Sequence, residues 1–112
     1  MLKPTGGQLT RYGQLRVISN ANPQTGIDSV FELSPVTTIG RNARNTIVLD
    51  DSYVSGEHAL LVWRDAQWWL EDQNSRNGTL LNDTPINEAV VISPGDILTI
   101  GNIQLKLEDP SG

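Results

Sequence analysis

Short runs rich in Val, Ile, Leu and Trp recur about every eight to twelve positions along the chain, each bounded by Gly, Pro, Asn, Asp or Ser, and no stretch holds a helical period. Ten such runs read as strands: QLRVIS, SVFELS, TTIG, TIVLD, HALLVWR, QWWLED, TLLN, AVVIS, DILTI and IQLKLED. The last is the clearest. Ile103, Leu105 and Leu107 alternate with Gln104, Lys106 and Glu108, so one set faces a core and the other faces water. Gly101-Asn102 separates two apolar runs as a two-residue hairpin does. Ser93-Pro94-Gly95-Asp96 has Pro and Gly where a type II turn needs them. The pattern predicts an all-β sandwich or barrel with meandering antiparallel connections.

Ahead of Leu15 the pattern is absent. Residues 1–14 carry one Pro and three Gly, and are expected to form a mobile arm; residues 109–112 are expected to be a tail or the start of a linker, leaving 15–108 as one domain. A chain of 112 residues buries enough surface for a single core. With no cysteine and one histidine, disulfides and thiolate metal sites are excluded and a zinc site has too few ligands, so no cofactor or metal is expected. The net charge of −5 sets the whole molecule against nucleic acid and anionic membranes, although a local basic patch remains compatible with it. No run is long enough to span a membrane and the first residues lack the apolar segment of a secretion signal. A soluble, cytoplasmic location is the expectation.

Three loops carry candidate chemistry. In TIGRNARN, Gly40 offers a positive φ, and Arg41 is either a fork of donors for an anion or a solvated surface arginine. In DSYVSGEH, Ser55 lies three residues before His58, which raises the question of a nucleophile and its base. A hydrolase would need the nucleophile on a strained strand-to-helix turn with an orienting carboxylate, and neither is present; a buried, hydrogen-bonded histidine is the simpler reading. In DQNSRNGT, Asn77-Gly78 reads locally as a hairpin turn. No phosphate-cradling P-loop occurs, and Asp50-Asp51 reads as a strand-end turn rather than an acid/base couple. No active site emerges.

Order and spacing add what single loops lack. Gly40-Arg41, Asn45 with Ile47 and Leu49, Ser55-x-x-His58, Trp69, Asp72, Ser75-x-Asn77-Gly78-Thr79, Asn82 and Gly95-Asp96 together resemble the forkhead-associated (FHA) domain family over about residues 15–108. The resemblance implies an eleven-stranded β-sandwich of two twisted, mainly antiparallel sheets (FHA/SMAD-like), with loops at one end that read phosphothreonine peptides without catalysis. It implies that Arg41 and Ser55 hold the phosphate, that Asn77 holds the peptide backbone, and that Gly40, Asn45, His58 and Gly78 build the loops. The partner would be a phosphothreonine-containing protein or peptide and the upstream enzyme a Ser/Thr kinase. A phosphate-independent or dimerisation module on the same fold is the competing class.

The chain departs from the family at Gly56, where many members carry Arg or Asn as a further phosphate-side group. Arg76, directly before the Asn-Gly pair, either replaces that contact or faces solvent. Tyr53 offers an apolar face and a hydroxyl to peptide residues downstream of the phosphothreonine, and should accept an aliphatic residue there. The adjacent Trp68 and Trp69 must face opposite sides of their strand. Trp69 is expected in the core because it matches the family's buried position, and Trp63 is expected to cover an edge or mark an interface.

Overall fold

The computed structural model describes residues 12–21 and 26–110. Eleven strands follow one another: β1 (Gln14–Asn20), β2 (Val30–Glu32), β3 (Val36–Gly40), β4 (Ile47–Val48), β5 (Ala59–Arg64), β6 (Gln67–Asp72), β7 (Thr79–Leu81), β8 (Thr84–Pro85), β9 (Val90–Ile92), β10 (Ile97–Ile100) and β11 (Ile103–Glu108). They form a six-stranded sheet in the order β2-β1-β11-β10-β7-β8 and a five-stranded sheet in the order β4-β3-β5-β6-β9. All pairs are antiparallel except β3 with β4. The fold is the expected β-sandwich of eleven strands.

Alternation decides which residues enter the core. In β11, Ile103, Leu105 and Leu107 are buried while Gln104, Lys106 and Glu108 are only partly so. They meet Leu15 and Val17 of β1, Leu98 and Ile100 of β10, and Ile39, Leu61 and Leu70 from the other sheet. Each fully buried Leu or Ile contributes about 1.5–3 kcal/mol, so the facing rows supply the main stabilising term.

Several local expectations change. Trp68, not Trp69, is the core residue: it is 4% exposed and its indole N–H donates to the Tyr12 carbonyl at 3.0 Å, whereas Trp69 lies on the outer face. Its parity was set by Leu70, which is buried with it, and by polar Gln67 and Glu71, which share the face of Trp69. Trp63 packs edge-on between Tyr12 and Trp68. At the end of the segment expected as an arm, Gln14 pairs with Glu108 and Tyr12 joins the aromatic cluster; residues 1–11 lie outside the described residues. Of the expected tail, Asp109 and Pro110 carry no strand, and residues 111–112 lie outside the described part.

The connections are less meandering than the pattern suggested. Asn77-Gly78 does not close a hairpin: β6 and β7 belong to different sheets, so this segment carries the chain across the sandwich. The eighth strand, missed in the sequence, follows a tight turn at Asn82-Asp83, both with positive φ (48° and 69°), as a type I′ hairpin requires. Gly101 takes φ 60° in the two-residue β10–β11 turn, and Gly95 takes φ 98° in the turn closed by the Asp96 N–H to Ser93 carbonyl bond.

Candidate functional site

Register places the loops of interest at one end. Ala59 of β5 stands opposite Ile39 and Asp72, while Ile100 stands opposite Ile103 and Thr79. The segments 41–46, 49–58, 73–78 and 101–102 therefore rise together from one edge of both sheets. We call this the crown.

His58 is its centre post. The ring is fully buried; Nδ1 accepts the Ser55 amide at 3.0 Å, so the proton sits on Nε2, which donates to the Gly78 carbonyl at 2.8 Å. One neutral imidazole thus ties the loop of one sheet to the crossover into the other. The Ser55 hydroxyl is not bonded to His58. It accepts the Arg76 amide at 2.9 Å, which uses an oxygen lone pair and leaves the hydroxyl proton to be donated elsewhere.

The remaining loop residues lock this frame. The Arg41 amide bonds the Ser55 carbonyl and the Asn42 amide bonds that of Gly56, while the Asn45 carboxamide donates to the carbonyls of both Asn42 and Gly56. Gly40 does not use a positive φ, contrary to expectation. It is needed for close approach: a Cβ there would stand 2.7 Å from Asn45 Nδ2 and run into the Gly56 carbonyl. Gly56 leaves its flank to Asn42, whose carboxamide nitrogen lies 2.9 Å from where a Cβ would be.

Two acidic anchors were not singled out as site residues. Asp72 accepts the Ser75 hydroxyl (2.6 Å), the Ser75 amide (2.9 Å) and the Thr79 hydroxyl (2.7 Å), and Ser75 Oγ in turn accepts the Gly78 amide. Burial raises the Asp72 carboxyl, but the bonds from Ser75 and Thr79 outweigh it and hold the group below the usual carboxylate range. Asp51, buried rather than a simple strand-end turn, accepts the amide and the carboxamide of Asn102, both at 3.0 Å, and so pins the Tyr53 loop to the β10–β11 turn. The signal was available in Asp72-x-x-Ser75 and Ser75-x-x-Gly78 spacing, which suits side-chain bonds back into a turn.

On this frame the arginines point outward. Arg41, Arg44 and Arg76 are exposed, and none has an ion pair or side-chain hydrogen bond among the described residues. The Asn77 carboxamide donates to the Tyr53 carbonyl at 2.9 Å and keeps its oxygen and second N–H for other partners. Beside it a cleft of about 260 Å³ is lined by Tyr53, Asn77, Gly78, Leu80, Thr99, Gly101 and Asn102. Tyr53 is 56% exposed at its rim. Among the described residues no group of His, Cys, Asp and Glu could hold a metal ion, and no helix is long and apolar enough to cross a membrane.

A sandwich whose polar loops converge at one end, with donors left unpaired, defines a binding module. The FHA domain family matches residues 37–101, more than half of the chain, and the chain belongs to it. The FHA domain-containing protein FhaB of Mycobacterium tuberculosis is 32% identical over 102 residues, covering 91% of this chain and 65% of that protein. The oxoglutarate dehydrogenase inhibitor of Corynebacterium glutamicum is 33% identical over 101 residues, covering 90% of this chain and 69% of that protein. Mycobacterium tuberculosis EmbR, solved in complex with a low-affinity phosphopeptide, matches with a TM-score of 0.81 at 26% identity over 96% of this chain and 27% of EmbR. This chain thus spans 65% of the length of the mycobacterial FhaB. FHA domains bind phosphothreonine peptides and are non-catalytic interaction modules.

Proposed function

We propose that this chain reads phosphothreonine peptides through its crown, as its family does. Arg41 and Arg76 supply guanidinium donors, the Ser55 hydroxyl supplies its free proton, and together they hold the phosphate. Asn77 bonds the peptide backbone with its unused carboxamide groups, and Tyr53 forms the wall of the adjoining cleft for the residues that follow. The observation that carries this reading is the Ser55 hydroxyl itself, whose acceptor role is taken by the Arg76 amide while two unpaired arginines flank it. A phosphate dianion suits that set of donors, because charge-assisted bonds to it are roughly twice as strong as neutral ones.

The same geometry argues against catalysis. Both ring nitrogens of His58 are committed to backbone groups, so no base addresses Ser55. The partner is a phosphothreonine-bearing protein marked by a Ser/Thr kinase, and the domain acts in the cytoplasm. Phosphothreonine is preferred to phosphoserine. The γ-methyl adds about 0.8 kcal/mol when buried and stiffens the side chain.

The test is capture from an oriented peptide library prepared with phosphothreonine, with phosphoserine and with plain threonine at the fixed position. Enrichment confined to the phosphothreonine set, with aliphatic residues favoured downstream, is the expected result. Equal enrichment from all three would leave a phosphate-independent module on the same fold.

A further inference from the structure

The outer face of the five-stranded sheet carries a feature that peptide reading does not use. Val36 of β3 stands opposite Val62 of β5, Val62 opposite Trp69 of β6, and Trp69 opposite Val91 of β9. These side chains point away from the core, which takes Thr37, Leu61, Leu70 and Ile92 from the alternate positions. They form one apolar row across four neighbouring strands, about 14 Å long at the usual strand spacing. Val36 is 57% exposed and Val91 38% exposed. Among the described residues no helix or third layer covers the row. The Trp69 indole N–H is shielded and has no acceptor among the described residues.

We propose that this face is where two copies of the chain associate. The charges beside the row select the occupant. Glu71 lies one outward position toward the crown from Trp69, opposite Leu60, and Arg64 lies one outward position toward the other end from Val62, opposite Gln67. A two-fold axis along the row lays each apolar row on its copy and exchanges the flanking rows. Arg64 then meets the partner's Glu71, one strand spacing away, and the contact occurs twice, as an isologous interface requires. An axis along the strands would instead set Arg64 toward the partner's Arg64 and Glu71 toward the partner's Glu71, so the charges choose the first arrangement. Arg64 already lies over the Trp69 ring, 4.7 Å from its centre, and would bring that aromatic face into the contact.

Four strands and about six residues of length give a patch on the order of 400 Å² per copy, below the range of stable specific interfaces, so the association is weak and concentration-dependent. The crown sits at the strand ends and stays open in both copies. Sedimentation equilibrium of the full chain, from roughly ten micromolar to roughly one millimolar, tests the proposal. The average mass should rise from monomer toward dimer. Arg64→Glu and Glu71→Arg should each move the midpoint about 10-fold or more higher, and the double variant should restore it, with thermal melts confirming that all variants fold. A monomer mass throughout would overturn the proposal, whatever else covers the face. So would association that ignores these charges, or a double variant no better than either single one.

Discussion

The two ends of the sandwich treat the same side chain in opposite ways. At the end away from the crown, Arg16 bonds Glu108 through Nε at 3.0 and 3.1 Å, Gln14 adds a 2.7 Å bond to the same carboxylate, and Tyr12, Trp63 and Trp68 close the edge with aromatic contacts. At the crown, Arg41, Arg44 and Arg76 face solvent with no ion pair among the described residues, while Asp51 and Asp72 accept bonds from loop amides, a carboxamide and hydroxyls. An arginine with its carboxylate in place is part of the frame. An arginine that has no ion pair among the described residues is free for an external anion, and the crown carries three of these on a chain of net charge −5.

The largest expected effect on stability falls on the frame beneath the crown. His58→Ala leaves the Ser55 amide and the Gly78 carbonyl without their partner, and should lower unfolding free energy by about 3 kcal/mol, read from denaturant midpoints at unchanged slope. A loss no larger than that of an exposed substitution would mean that His58 does not tie the two sheets.

Next comes the division among the unpaired arginines. Arg76→Ala should weaken phosphothreonine-peptide binding about 10-fold, and Arg44→Ala by much less, although each removes one charge from the same end. Equal losses, both abolished by salt, would reduce Arg76 to general electrostatics. Arg16→Ala should lower the melting temperature slightly and leave peptide affinity untouched, which would separate the two ends cleanly.

The smallest effect concerns acid. Bonds from Arg16 and then Gln14 hold the Glu108 carboxyl below its ordinary range, and Asp72 is also held low despite its burial. Carboxylates depressed on folding contribute fully above their unfolded values, near pH 4, and lose that contribution as the pH falls through the folded values. Stability should therefore decline below about pH 4, with no contribution from these two groups to any change between pH 6 and 8. Glu108→Gln should flatten the acid limb only modestly, because a partly exposed pair is screened. An acid limb identical in Glu108→Gln and Asp72→Asn to that of the parent would remove both groups from the account.

Much of this architecture could be read along the chain. Strict alternation in β11 fixed its inward face, and the spaced Gly-Arg, Ser-x-x-His and Asn-Gly motifs located the crown. What escaped was non-local. Asn77-Gly78 has the local chemistry of a hairpin, yet the sheet that receives the next strand depends on packing partners far away in sequence. The Thr84–Pro85 strand is too short to show a period. The family match places Trp69 inward, against the polar Gln67 and Glu71 that share its face, and the period-2 signal is the better guide. Asp51 and Asp72 look like surface acids until their bonded neighbours are known.

We propose that Arg41 and Arg76 form a phosphate site with the Ser55 hydroxyl. Calorimetric titration of one phosphothreonine peptide and its unphosphorylated twin, into the parent chain and into Arg41→Ala, tests it most directly. Binding should be measurable only for the phosphopeptide with the parent, and Arg41→Ala should cost about 2–5 kcal/mol, enough to take a micromolar complex out of range without altering the melting temperature. Equal affinity for both peptides, or unchanged phosphopeptide binding by a folded Arg41→Ala chain, would contradict the claim.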